Sequence, residues 1–99
     1  MTNKNIYIAG PCVIESQELL DTVAAELVRL NKKYGIDIIF KASFDKANRT
    51  SLNAFRGPGM VKGLVMLQEI KDKYGLKLLT DIHESYQAEK VGKVVDVIQ

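Results

Sequence analysis

Apolar residues follow two patterns along the chain: short compact runs, and longer stretches in which they recur at helical spacing. The short runs are IYIAG (6–10), IDIIF (36–40), LKLLT (76–80) and VVDVIQ (94–99). Runs of this length, bounded by glycine or polar residues, predict β-strands. The pattern therefore predicts four strands, of which the fourth begins near residue 94.

Helical periodicity fills the segments between these runs. The first predicted helix covers 16–34, with Ser16 suited to cap its first turn. A second helix is predicted over 61–74, and a short third helix fits 85–92. The first helix carries an apolar stripe typical of a helix packed on one side, made of Leu19, Leu20, Val23, Leu27 and Leu30.

An internal repeat supports this order of elements. KKYGIDIIFK (32–41) aligns with DKYGLKLLTD (72–81), each a helix end, a Tyr-Gly stop and an apolar strand. Repeated βα units predict a parallel sheet with right-handed crossovers. Two architectures fit: a small doubly wound domain, or the first part of a (β/α)8 barrel, which needs eight units and about 250 residues.

Composition excludes several classes of protein. The net charge of +2 is too small to indicate nucleic-acid binding without clustering. No apolar stretch reaches the length of a transmembrane helix, so no membrane partner is expected. The apolar run near the amino terminus is too short for a signal peptide, and we expect a cytoplasmic protein. Cys12 is the only cysteine, so no intrachain disulfide can form.

The candidate chemistry follows the strands. Ligands of both architectures bind at the carboxyl ends of parallel strands. Those ends carry AGPCVIES, KASFDKANRT, TDIHE and Gln99. Each combines polar or reactive groups with an apolar strand, which a purely structural sheet does not need. The sequence therefore predicts a binding or catalytic site at this edge.

The KASFDKANRT segment suits an anion. Lys41 and Lys46 can converge on one negative group, with Arg49 as a bidentate phosphate ligand. Asn48 and Thr50 suit a ligand rich in hydroxyl groups. The alternatives are a solvated loop for the cations and a satisfied turn for the amide and hydroxyl.

Asp81 and His83 are spaced to do acid–base chemistry at the end of the third strand, although a lone His is more often a core or surface residue. Cys12 is a buried apolar residue, a reactive thiol or a metal ligand, and the first of these is the commonest for an isolated cysteine. The chain contains no CxxC, HExxH, GxGxxG or Walker pattern.

Four segments together resemble a known enzyme family. IAGPCVIES, FKASFDKANRTSLNAFRGPG, TDIHE and DVIQ occur in the order and spacing found in the 3-deoxy-D-manno-octulosonate 8-phosphate synthases, across essentially the whole chain. That family adopts a (β/α)8 barrel, usually as a homotetramer, so residues 1–99 are expected to form the N-terminal portion of such a barrel. The family condenses phosphoenolpyruvate with arabinose 5-phosphate, and the product feeds lipopolysaccharide synthesis.

The resemblance also implies residue roles. Lys41 and Lys46 match the residues that bind the carboxylate and phosphate of phosphoenolpyruvate, and Gln99 lies at the same site. Asp81 and His83 line the reaction centre. The segment that holds the sugar phosphate, often near a subunit boundary, matches Asn48, Arg49 and Thr50. Thr50 replaces a more common Ser but keeps the hydroxyl.

With Cys12 the chain resembles the metal-dependent class of that family, since metal-free members have asparagine at this position. The other ligands to the divalent ion, a His, a Glu and an Asp, belong to later strands, so the 99-residue chain alone is expected to be inactive. Three alternatives remain: a synthase of the related 3-deoxy-heptulosonate 7-phosphate type, a small α/β module that binds a phosphorylated ligand without catalysis, and a structural piece that assembles with other chains.

Overall fold

Strands and helices alternate throughout the computed structural model, which describes residues 6–45 and 57–99. The elements in chain order are β1 (Tyr7–Ala9), α1 (Gln17–Tyr34), β2 (Ile38–Lys41), α2 (Met60–Tyr74), β3 (Leu78–Thr80), α3 (Gln87–Val91) and β4 (Val97–Ile98). The strands form one parallel sheet in the order β1-β2-β3-β4. This is the arrangement of the N-terminal part of a (β/α)8 barrel, as predicted.

The ends of α1 are set by two residues that the sequence identifies. The side chain of Ser16 accepts a hydrogen bond from the backbone N–H of Leu19 at 3.0 Å, which satisfies a donor in the first turn. Gly35 follows Tyr34 with φ of 63°, a left-handed conformation that glycine adopts without steric cost. Both predictions are confirmed.

α2 ends in the same way as α1. Gly75 has φ of 67°, and its N–H bonds to the carbonyl of Lys71 at 2.9 Å. Both copies of the Tyr-Gly repeat therefore turn a helix directly into the next strand. The start of α2 differs slightly from the prediction, since the helix begins at Met60 after Gly59 rather than at Val61.

The strands are shorter than the apolar runs that predicted them. The clearest difference is β4, which begins at Val97 and not at Val94. Val94 and Val95 donate their N–H groups to the carbonyl of Val91 and continue the turn that ends α3. Val95 is nevertheless buried, so its apolar character reflects burial in the core and not membership of a strand.

The core lies between the three helices and one face of the sheet. Phe40 and Leu78, register partners in β2 and β3, are fully buried on this face. The apolar stripe predicted for α1 contributes to it through Leu20 and Leu27, and α2 contributes Leu64, Leu67 and Ile70. β1 lies at the edge of the sheet, where Ile8 is 50% exposed. No helix among the described residues combines the length and apolarity that crossing a bilayer requires.

Candidate active site

Main-chain hydrogen bonds join the polar ends of the four strands into one edge. The N–H of Ser43, after β2, donates to the carbonyl of Cys12, after β1, at 3.3 Å. The N–H of Gln99, after β4, donates to the carbonyl of Thr80 at 2.9 Å, and the carbonyl of Gln99 accepts from Ile82 at 3.2 Å. The structure therefore brings together the strand ends that the sequence predicts to carry the site.

The approach of β1 to β2 at this edge depends on a glycine. A Cβ atom on Gly10 would meet the backbone oxygen of Lys41 well inside the 3.0 Å that real Cβ atoms keep. Beyond the strands a parallel bridge joins Val13 to Ser43, one residue out of the register that pairs β1 with β2. The Gly in the AGPC segment thus allows the chain carrying Cys12 to lie directly beside Lys41.

Lys41 ends β2 on the face of the sheet opposite the helices. Its neighbour Phe40 faces the helical core, and side chains alternate along a strand, so Lys41 lies on the same face as its register partner Leu79. The side chain is partly buried and makes no ion pair with another described residue. A partly desolvated cation without a protein counter-ion favours an anionic ligand.

At the ends of β2 and β3, a hydrogen bond from a side chain continues the pairing of the two chain segments. The hydroxyl of Thr80 is buried and donates to the carbonyl of Ala42 at 2.7 Å. Ala42 donates its own N–H to the carbonyl of Leu79 at 3.3 Å. This bond fixes the end of β3, from which Asp81 and His83 project, relative to the segment that follows Lys41.

The imidazole of His83 is held by three groups. Its Nε2 lies 2.5 Å from the backbone carbonyl oxygen of Asp45 and 3.6 Å from Oδ2 of Asp81. The buried ring of Phe44 meets it in a T-shaped contact with 6.2 Å between ring centroids. With 25% of its side chain exposed, His83 is neither a core residue nor a freely solvated one. The predicted Asp81–His83 pair is therefore assembled in the structure.

Asp81 carries a buried carboxylate oxygen that accepts no hydrogen bond from any described residue. This atom, Oδ1, is inaccessible to solvent, while Oδ2 faces His83. A buried polar atom normally has a partner, because leaving it unpaired costs about 1–3 kcal/mol. This oxygen is thus available to accept a hydrogen bond from a ligand.

Residues that the sequence analysis did not select complete the surroundings of His83. The side-chain oxygen of buried Gln87 accepts from the backbone N–H groups of His83 at 2.9 Å and of Glu84 at 3.2 Å. The main-chain carbonyl of Asp45 is equally invisible in a residue pattern, because any residue type supplies one. Gln87 was detectable only as a polar residue on the inner side of a short predicted helix.

Cys12 is exposed, so the interpretation of an isolated cysteine as a buried apolar residue is wrong here. An exposed thiol at the active edge suits a soft or borderline metal ion as a donor. Among residues 6–45 and 57–99, however, no group of three His, Cys, Asp or Glu side chains could enclose an ion. The thiol is a donor type that fits a divalent metal ion, but the described residues around it do not complete a metal site.

Four predicted substrate-binding residues fall outside the residues that the structure describes. They are Lys46, predicted to bind phosphoenolpyruvate, and the three predicted sugar-phosphate residues Asn48, Arg49 and Thr50. Their roles stay predictions, as do the ligand contacts of Gln99. A cavity of about 380 Å³ lies at the opposite edge of the sheet, where Ile6, Ile36 and Lys77 contribute to its lining. None of its lining residues follows the carboxyl end of a strand, so the cavity is not part of this site.

Comparison with known proteins identifies the relatives of the chain. Residues 2–99 match the family described as the DAHP synthetase I family. Proteins named 2-dehydro-3-deoxyphosphooctonate aldolase are 59% identical over 98 residues in Helicobacter pylori (strain Shi470) and 62% identical over 94 residues in Wolinella succinogenes. These matches cover 99% and 95% of this chain.

A third protein of the same name, from Helicobacter hepaticus, is 62% identical over 94 residues. The predicted resemblance is confirmed, because that name denotes the octulosonate-phosphate synthases. The relatives do not favour the heptulosonate alternative. The chain spans about a third of the length of these curated relatives, 36% of the first and 35% of the third.

Proposed function

The chain belongs to the DAHP synthetase I family, and from that premise we propose that the protein carrying it is a 3-deoxy-D-manno-octulosonate 8-phosphate synthase. The reaction joins phosphoenolpyruvate to arabinose 5-phosphate with water and releases inorganic phosphate. The observation that carries the proposal is the contact of His83 with Asp81 and with the segment after β2, at the carboxyl ends of parallel strands, in a chain whose relatives bear the name of this enzyme.

Electrostatics supports a site for two anionic substrates. Bringing phosphoenolpyruvate and a sugar phosphate together is opposed by their charges, and fixed cations reduce that cost. Lys41 is a partly buried cation without a counter-ion among the described residues, and it is proposed to bind phosphoenolpyruvate together with Lys46 and Gln99. Three further residues are proposed to hold the sugar phosphate: Asn48, Arg49 and Thr50.

The Asp81–His83 pair supplies groups that can hold or move a proton. Addition of the phosphoenolpyruvate double bond to the aldehyde leaves an oxygen that needs a proton, and attack by water releases one. His83, 3.6 Å from Oδ2 of Asp81, is proposed to take part in these transfers. The unpaired Oδ1 of Asp81 is proposed to accept a hydrogen bond from a substrate hydroxyl or from the attacking water.

Cys12 is proposed to be one ligand of a divalent metal ion, with the other ligands in strands beyond residue 99. The ion, when bound, would orient or polarise the aldehyde or help to position a water. The exposed thiol on the segment beside β2 supports this role. Chelation should abolish activity and a divalent ion should restore it, whereas Cys12→Ala should lower the metal content of the purified protein. Full activity in excess chelator would contradict the role.

We further propose a cytoplasmic homotetramer that serves lipopolysaccharide synthesis. Support for assembly comes from the outer side of α2, where Val61 and Val65 are 72% and 60% exposed. Light scattering on the full-length protein measures its mass. A monomer at micromolar concentration would refute the assembly.

A condensation assay on the full-length protein tests the activity. The product should form from phosphoenolpyruvate and the five-carbon sugar phosphate, because the phosphoenolpyruvate contributes three of eight carbons. A four-carbon aldose phosphate is the control, since it would yield the seven-carbon product of the related enzymes. Preference for the four-carbon substrate would overturn the proposal, and the 99-residue chain alone should show no turnover.

A charge substitution tests the binding role of Lys41. Lys41→Met keeps the length of the side chain and removes its charge, so the Michaelis constant for phosphoenolpyruvate should rise about 10- to 100-fold, corresponding to a charged hydrogen bond of about 1.5–3 kcal/mol. Lys33→Met at the exposed end of α1 is the matched control and should leave the Michaelis constant for phosphoenolpyruvate unchanged. An unchanged constant in Lys41→Met would refute the assignment.

A further inference from the structure

Hydrogen bonds with Gln87 fix the backbone of the loop after β3, from which the side chain of His83 projects. Gln87 lies at the start of α3, and 8% of its surface is exposed. Its amide oxygen accepts two backbone N–H groups, those of His83 and Glu84. The assignment of oxygen to this position is secure, because both partners are donors and an amide nitrogen would repel them. The N–H of Gln87 in turn bonds to the carbonyl of Glu84 at 3.0 Å.

A second contact fixes the ring of His83 from another element. The carbonyl oxygen of Asp45, in the segment after β2, lies 2.5 Å from Nε2. A carbonyl oxygen can only accept, so Nε2 must carry a proton in this contact. In a neutral imidazole only one nitrogen is protonated, so the lone pair then resides on Nδ1. The buried ring of Phe44 packs against the imidazole in a T-shaped contact, which opposes a ring rotation that would carry Nε2 away from this carbonyl.

We infer that Gln87 is a positioning residue for His83, and that Gln87 and the carbonyl of Asp45 together hold the neutral imidazole as its Nε2–H tautomer. This inference rests on the proposed function for its catalytic meaning but not for its geometry. A proton taken from bound substrate or water is accepted by the lone pair of Nδ1. The resulting imidazolium keeps its Nε2–H bond to Asp45, and Oδ2 of Asp81 at 3.6 Å offsets its charge.

The two aspartates beside the ring have different roles. Asp45 acts through its main-chain oxygen and sets the tautomer, so its side chain can change without altering which nitrogen is protonated. Asp81 acts through its side chain and stabilises the charged ring. Gln87 acts on neither nitrogen directly, since it holds the backbone from which the ring projects.

Nitrogen-15 NMR on the full-length protein tests the tautomer without reference to activity. Histidine is labelled, the ring signals of His83 are assigned by their loss in His83→Asn, and long-range proton–nitrogen correlations identify the protonated nitrogen. We expect the neutral ring to be protonated at Nε2. A neutral ring protonated at Nδ1 would overturn the inference while leaving the condensation activity as a separate result. Conversely, absence of that activity would leave the tautomer measurement valid.

Substitution of Gln87 tests its positioning role. Gln87→Met keeps the size of the side chain but removes the acceptor, and displacement of a reacting group by 1 Å costs up to about 100-fold. We expect kcat to fall about 10- to 100-fold, with Michaelis constants within about twofold of the parent. Gln87→Glu retains an acceptor oxygen and should recover most of kcat. The matched control is Gln68→Met, since the side chain of Gln68 bonds to Asp72 on its own helix and to no other described residue.

The ring signals of His83 in these variants distinguish positioning from general loss of structure. In Gln87→Met the Nε2–H signal should show a mixture of tautomers, and in Gln87→Glu it should match the parent. If Gln87→Met does not fold, the comparison of Gln87→Glu with the parent still tests the positioning role of Gln87. A Gln87→Met protein with parental kcat and a parental His83 spectrum would refute the role, as would a Gln87→Glu protein that folds but has the kcat expected of Gln87→Met.

Discussion

Gly63 links the packing of a helix to the geometry of the candidate site, and replacing it with alanine has an effect that can be worked out from the structure. Gly63 is buried in α2. An added Cβ would meet Cβ of Phe44 well inside 3.0 Å. The atom it meets is the root of the side chain, so rotation of Phe44 cannot relieve the overlap. Either α2 or the segment after β2 must move.

Two opposing terms set the magnitude. Alanine is favoured over glycine inside a helix by about 1 kcal/mol. Overpacking of a rigid core costs about 1–3 kcal/mol, and contact between two backbone-proximal atoms belongs at the upper end of this range. The expected net loss in the free energy of unfolding is therefore about 2 kcal/mol, or about a 30-fold increase in the unfolded fraction.

Urea denaturation of Gly63→Ala, followed by circular dichroism, measures this loss. The control is Gly92→Ala at the end of α3, where an added Cβ lies 3.1 Å from the carbonyl of Ala88 and φ is −62°. That variant should lose about 0.5 kcal/mol or less. Because Phe44 contacts the ring of His83, Gly63→Ala should also lower kcat. A Gly63→Ala protein as stable as the parent would refute the packing argument.

Three further substitutions test other contacts by denaturation. Thr80→Val removes the buried donor to the carbonyl of Ala42 and should cost about 1–3 kcal/mol, while Thr80→Ser should cost much less; equal losses would show that the hydroxyl is unimportant. Asp96→Ala removes the acceptor for the N–H of Leu78 at 2.9 Å and should cost about 1 kcal/mol, whereas Asp72→Ala should be nearly neutral. The hydrogen bond to Asp37 raises the pKa of Lys77 in the folded protein. The ion pair therefore stabilises the fold at pH values below the ordinary pKa of lysine, and this stabilisation is lost as the pH rises through the raised pKa. Lys77→Met should remove this component of the stability profile between about pH 9 and pH 12, and an unchanged profile would contradict it.

Local signals in the sequence predicted the framework of the fold well. Ser16, Gly35 and Gly75 act through backbone geometry within a few residues, and all three lie where the sequence analysis placed them. The bounds of β4 were predicted less well, because an apolar run reports burial, and Val95 is buried in a turn rather than in a strand. Strand bounds depend on pairing with another strand, which a local pattern does not contain.

The sequence identified polar side chains of the candidate site but not the groups that hold them in place. Asp81 and His83, both selected at the end of one strand, lie 3.6 Å apart in the structure, and their catalytic roles stay predictions. Gln87 and the carbonyl of Asp45 were missed, since one serves through a hydrogen bond to backbone and the other is backbone. Cys12 was expected by frequency to be buried and is exposed, because it follows the short edge strand β1.

The strand order β1-β2-β3-β4 has a consequence for synthesis on the ribosome. Among the described residues each strand pairs with the one before it in the chain, so no register partner lies further away than one βα unit. A unit of about 40 residues takes roughly 2–8 s to translate at 5–20 residues per second, whereas local α/β pairing forms within about a second. Each βα unit can therefore dock on its predecessor as it leaves the exit tunnel. The sheet can grow vectorially, with each strand as the template for the next.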